Sequence, residues 1–101
     1  MKTYISGQIT GLQYEEFVIN FSNAKWKVWD LYKNEKSNII NPLDISPIFG
    51  IKKWLFYMVA DLYQLKKCTH IAMQPNWIHS REALIEYFFA KFIFKQQIIW
   101  L

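Results

Sequence analysis

One cysteine, two histidines, three glycines and three prolines are all that this 101-residue chain has of the residue types that most constrain chemistry and backbone. A lone thiol, Cys68, has no partner within the chain for a disulfide, and one thiol with two histidines falls short of a structural zinc set. His70 and His79 have no metal-ligand spacing to other candidates, so neither a metal nor another cofactor is expected, and a reducing, cytoplasmic setting fits best. A long uncharged apolar run is also missing. The most apolar stretch, Ala83 to Leu101, is broken by Glu86, Lys91, Lys95, Gln96 and Gln97, which rules out the roughly 20 nearly uncharged residues of a membrane helix. No apolar leader precedes the strand-like opening Lys2 to Ser6, so no export is expected. Basic runs are absent too: the net charge of +4 comes from scattered lysines, which read as a solvated surface and weigh against nucleic-acid binding.

What is abundant is apolar and aromatic material, 52% and 19% of the chain. At this length there is room for a single domain, 1–101, and one core. The aromatic content exceeds what such a core needs. A self-association surface is therefore expected, with Trp26, Trp29, Phe88 and Phe92 as its candidates, and with it a homo-oligomer.

Along the chain, Tyr4-Ile5 leads into the glycine-bearing loop Ser6 to Gly11, a strand followed by a turn that a phosphate or sugar could approach. Phe17, Phe21, Ala24, Val28 and Leu31 recur at helical spacing within Tyr14 to Tyr32. Asn38 to Pro42 reads as a second strand, Leu43 to Gly50 as a loop, Lys52 to Lys67 as a second helix and Thr69 to Met73 as a third strand. The loop Gln74 to His79, a helix Arg81 to Phe94 and a strand Gln97 to Leu101 complete the chain. The order βαβαβαβ predicts an α/β domain of the three-layer, Rossmann-like or flavodoxin-like kind. Its four-stranded parallel sheet, in order 2-1-3-4, is flanked by helices on both faces. Ligands in such sheets bind beyond the carboxyl ends of the strands where strand order reverses, which makes Ser6 to Gly11 and Gln74 to Ser80 the expected walls of a site.

Two carboxylates break the helical patterns. On the second helix Trp54, Tyr57, Met58, Leu65 and Cys68 form one apolar stripe, and Asp61 falls within it. Burial of an unpaired carboxylate costs several kcal/mol, so Asp61 either ties down a loop such as Ser6 to Gly11 or borders a polar cavity. On the third helix Glu86 shares a face with Ala83, Phe89, Ala90 and Ile93, opposite Lys91 and Lys95. It is either a functional group or the wet spot of a helix that is apolar nearly all round. Trp77 could stack on a base or plug the end of the sheet. Ser80, placed before the third helix, is an N-cap candidate, and the helix start there, with its unpaired N–H groups, also suits an anion; the two roles can coexist.

The set Tyr4-x-x-Gly7-x-Ile9-x-Gly11, Asp61-Leu62-x-x-Leu65, and Trp77-x-x-Ser80 with Glu86 six residues on and Ala90 beyond resembles the nucleoside 2-deoxyribosyltransferase-like superfamily, most closely its small DUF4406 branch. The resemblance covers essentially the whole chain. It implies an N-glycosidic-bond hydrolase or transferase that acts on deoxyribonucleosides or their 5′-monophosphates. In this role Glu86 is the nucleophile at C1′, with Asp61 and Tyr4 orienting or protonating around it. Gly7, Gln8, Ile9, Gly11, Trp77 and Ser80 would bind the substrate. A nucleotide-binding module without catalysis, or a protein-interaction domain with a vestigial site, is the alternative. Glu82 and Leu84 stand where the hydrolase relatives commonly have glycine, and Gln8 replaces the usual proline after Gly7. Glu82, four residues before Glu86 on the same face, would repel a phosphate and raise the pKa of its neighbour. With the sequence ending at the fourth strand, the site is expected either to need a partner subunit to complete it or to remain open to water, which favours hydrolysis over transfer.

Overall fold

The computed structural model describes residues 2–33, 38–45 and 54–101. Strand β1 (Thr3–Ser6) is followed by helix α1 (Tyr14–Tyr32), β2 (Ile39–Ile40), a one-turn helix α2 (Pro42–Ile45), α3 (Trp54–Lys66), β3 (His70–Met73), a 3₁₀ turn (Trp77–His79), α4 (Arg81–Phe88) and β4 (Gln97–Trp100). The strands form one parallel sheet in the order β2-β1-β3-β4. The domain thus has the α/β architecture expected from the alternation of strands and helices, with the expected strand order 2-1-3-4.

Strand side chains alternate across the sheet, and the core divides accordingly. Thr3 and Ile5 of β1 face one side with Ala72 and Ile99, and Ile5, Ala72 and Ile99 pack there on Phe17, Phe21, Ala24 and Val28 of α1. Tyr4, Ile71, Met73 and Ile98 face the other side, where Leu65, Ala83 and Ala90 of the α3 and α4 segments cover them. Burial on both faces explains why the strands are short continuous apolar runs rather than half-polar alternations.

Several details depart from the sequence expectation. Leu31 is 58% exposed, so the buried stripe of α1 ends at Val28. Leu43 belongs to a helical turn, not a loop. Its N–H donates to Asn41 Oδ1 at 3.0 Å, so Asn41 caps and Pro42 opens a helix in the arrangement those two residues favour. The remainder of that expected loop, 46–50, and the expected helix start at Lys52 lie outside the described residues, as do the side chains of Trp54 and Tyr57. Met58, Leu65 and Cys68 from the same stripe are buried.

The last helix is α-helical only to Phe88. Phe89–Ile93 is a π-helical turn, in which the Phe94 N–H donates to the Phe89 carbonyl five residues back at 2.8 Å. The wider turn keeps Ala83, Glu86 and Ala90 on the sheet but turns Ile93 outward, to 54% exposure. Trp26, Trp29, Phe88 and Phe92 are exposed. Among the described residues no helix is long and apolar enough to cross a membrane.

Candidate functional site

The sheet order places the switch point between the carboxyl ends of β1 and β3, since the chain leaves β1 toward β2 on one side and reaches β3 on the other. Three contacts join the loops there. The Gln74 N–H donates to the Ser6 carbonyl at 2.9 Å, the Gln8 N–H donates to Asn76 Oδ1 at 3.2 Å, and the Gln74 carboxamide presses on Gly7. A Cβ on Gly7 would lie 2.5 Å from Cδ and Nε2 of Gln74, so any side chain there would have to push the carboxamide aside. Gly11 adopts φ +92°, a left-handed conformation that suits glycine.

Beneath these loops lies a buried polar cluster. Ala83 and Ala90, both fully buried, present so little bulk that α4 approaches the sheet closely and carries Glu86, between them, down onto β1. The Tyr4 hydroxyl donates to Glu86 Oε2 at 2.5 Å, and the Ser6 hydroxyl donates to Oε1 at 2.7 Å. Glu86 is 4% exposed, and Tyr4 and Ser6 are fully buried. Both carboxyl oxygens are therefore engaged, and each hydroxyl can donate or accept, so the cluster can serve either protonation state of Glu86.

Burial raises the Glu86 pKa to about 8. The hydrogen bonds from Tyr4 and Ser6 oppose that rise, and the charges of Asp61 and Glu82 add to it. Tyr4 is pushed well above its ordinary value by burial first and then by Glu86 and Asp61, so it remains a phenol. Asp61, partly exposed on α3, thus lies in the same electrostatic field as the pair it was expected to support, although it is less deeply placed than its position in the apolar stripe implied.

Ser80 caps α4: its hydroxyl accepts from the Ala83 N–H at 3.1 Å and donates to Glu82 Oε2, also at 3.1 Å. Thr10, from the loop after β1, donates to Glu82 Oε1 at 3.3 Å. Gln8 Nε2 donates to the Thr10 carbonyl at 3.1 Å, while Ile9 packs on the α1 side of the core. Trp77 stands apart, its ring centroid 5.0 Å from Tyr87 and 5.5 Å from Trp100, where it closes the α4 side of the sheet end. A cleft of about 280 Å³ between α1 and the loop after β3, lined by Asn20, Lys27, Gln74 and Asn76, opens on the other face of the sheet and does not include Glu86. The His70 ring lies 2.7 Å from Thr69 Oγ1, and Cys68, its thiol pushed up to about 11 by burial, is a buried packing residue. Among the described residues no group of three or more His, Cys, Asp or Glu could hold a metal ion.

Residues 1–99 match the profile of DUF4406, a domain of unknown function. The chain belongs to the DUF4406 family. Comparison with curated proteins and with solved structures gave no match.

Two groups of this DUF4406 domain escaped the sequence reading. The sequence places Ser6 at the end of the opening strand and the start of the loop without singling out its side chain, yet it is two residues beyond Tyr4 on the same face of β1, so its position opposite α4 is implicit in the strand period. Gln74 carried no such signal, because its role depends on the absence of a side chain at Gly7. Gly7→Ala is expected to destabilise the domain by about 1–3 kcal/mol through overpacking. Gln74→Ala on that background should restore most of the loss in urea denaturation, because it removes the carboxamide that the new methyl group strikes. Tyr4→Phe should cost about 1–3 kcal/mol by leaving Glu86 Oε2 without its donor. Because the Tyr4 hydrogen bond lowers the Glu86 pKa, the same variant should titrate Glu86 at higher pH, as read from carboxyl NMR shifts.

Proposed function

We propose that this domain cleaves or transfers the N-glycosidic bond of a deoxyribonucleoside, with Glu86 as nucleophile, as in the nucleoside 2-deoxyribosyltransferase-like superfamily. The observation that carries this reading is the convergence of Tyr4, Ser6 and Glu86 at the switch point, with the charge of Asp61 acting on the same cluster. A carboxylate held by two hydroxyls at the end of a parallel sheet, where such folds bind ligands, is suited to a sugar carbon that becomes cationic.

In the proposed reaction one Glu86 oxygen bonds to C1′ as the C1′–N bond breaks. The bonding pair leaves with the base nitrogen, which takes up the proton that Glu86 gives up on ionising, relayed by the Asp61 carboxylate. Positive charge at C1′ favours the ionised form of Glu86 and offsets the burial that keeps it protonated at rest. Water, or a second base, then attacks C1′, breaks the ester to Glu86 and passes its proton to the released carboxylate, which restores the resting carboxyl group; two inversions give net retention.

Release of free base from a panel of deoxynucleosides, resolved by chromatography, tests the proposal, and no release from any member at high enzyme concentration would sink it. A second reading, a module that binds a nucleoside without cleaving it, is favoured by the raised Glu86 pKa, since at neutral pH a largely protonated carboxyl is a poor nucleophile. It requires thermal stabilisation by a nucleoside that is recovered unchanged.

A further inference from the structure

The cleft of about 280 Å³ between α1 and the loop after β3 takes no part in the chemistry proposed for Glu86, yet its polar walls suit one kind of guest. Gln74 stands at its inner end. In the register that pairs Ser6 with Met73, the next residues across the two strands are Gly7 and Gln74, and the missing side chain at Gly7 leaves room for the carboxamide to lie against β1. Gln74 is 3% exposed, and its Nε2 is buried with no hydrogen-bond partner among the described residues. A buried donor without an acceptor costs stability. Rotation of the planar amide about its last bond turns this nitrogen to the cleft, and because it makes no hydrogen bond where it is, it loses none by turning.

The other polar walls are rich in donors as well. Asn76 Oδ1 already accepts from the Gln8 N–H at 3.2 Å, so the end of this amide left for a guest is its NH₂. Lys27 brings a positive charge to the exposed rim on α1, and Asp30, one turn further along the helix, pairs with Lys33 at 3.5 Å. Asn20 adds an amide that serves as donor or acceptor. Among the described residues that line the cleft there is no Asp or Glu, and Ala24, Pro75 and Leu101 supply the rest of its wall. We infer that this cleft is a subsite for the oxyanion of a small ligand, a carboxylate or a phosphate, held by the amide groups of Gln74 and Asn76 with Lys27 as its counter-charge. Its volume is at the small end of the range for ligand pockets. The cleft opens on the face of the sheet away from Glu86, so its occupancy does not depend on the nucleoside reading.

The test is an NMR titration of the wild-type protein with inorganic phosphate and, separately, with acetate, at constant pH and ionic strength, read at the side-chain NH₂ signals of Gln74 and Asn76. At least one of the two anions should move both signals along a saturable curve at millimolar concentration, and the one that does so identifies the class of oxyanion. Two variants locate the site. N76D keeps the oxygen that holds the Gln8 N–H and replaces the donor by a negative charge, while Q74M keeps the length of the side chain and removes the nitrogen. Each should weaken binding by ~10-fold or more, the loss expected for one hydrogen bond to a charged group. In the variants binding is followed at the backbone amides of the loop, whose dispersion also confirms folding. No saturable shift with either anion overturns the inference, as does wild-type affinity in either folded variant. If Q74M does not fold, N76D decides alone.

Discussion

Glu86→Gln is expected to lower base release from a deoxynucleoside by three orders of magnitude or more, roughly the loss that follows removal of a covalent nucleophile. Glutamine is the informative replacement. Its amide fills the same volume, its oxygen accepts one of the two hydroxyls, and its NH₂ can donate to the other, which then turns to accept. Alanine would instead leave Tyr4 and Ser6 buried without an acceptor, at about 1–3 kcal/mol for each hydroxyl, and would confuse lost chemistry with lost structure. The measurement is chromatographic quantification of free base over hours at high protein concentration, with near-UV circular dichroism to establish that the variant is folded. A variant that keeps a tenth or more of the wild-type rate would remove Glu86 from the role of nucleophile.

The second large effect is on stability. Glu86 has an ordinary carboxyl value of 4.5 when the chain is unfolded and about 8 in the folded domain. Between those values the native state binds more protons than the unfolded state, so stability falls as pH rises. The direction is opposite to that of a salt-bridged carboxylate. The loss begins near pH 4.5, is complete above about pH 8, and amounts to a few kcal/mol from this one group. Urea denaturation at pH 5, 7 and 9 should show it, and Glu86→Gln should flatten it, since the amide does not titrate. A wild-type stability that is level or rises across this range would show that Glu86 is ionised in the native state at all three values.

Much of this could be read from the sequence because the relevant signals are periodic. The parallel sheet and the two-faced core follow from the alternation of short apolar runs with helices, the strand order from the Rossmann-like fold that alternation suggests, and Phe17, Phe21, Ala24 and Val28 lie where three- and four-residue spacing puts them. Glu86 was conspicuous for the same reason, as a charge on the face that also carries Ala83 and Ala90. The misreadings share a cause. Leu31 continues a regular pattern past Val28, the last buried position of α1, and Ile93 continues the α-helical period of the Glu86 face through a π turn. Contacts between distant segments, such as Gln74 on Gly7 or Thr10 on Glu82, have no period in the chain. They depend on how two loops meet once the strands have paired.

The π turn at Phe89–Ile93 also separates two length requirements that a uniform helix would lock together. Upstream of it, the phase of α4 is dictated by the need to hold Glu86 over Tyr4 and Ser6. Downstream, the chain must arrive at Gln97 in register with His70 to start β4. A regular helix advances about 100° per residue, so every residue gained or lost between Glu86 and β4 would swing one end out of alignment with the other. The widened turn takes up that mismatch, so the phase that holds Glu86 over Tyr4 and Ser6 need not be the phase that delivers Gln97 to β4.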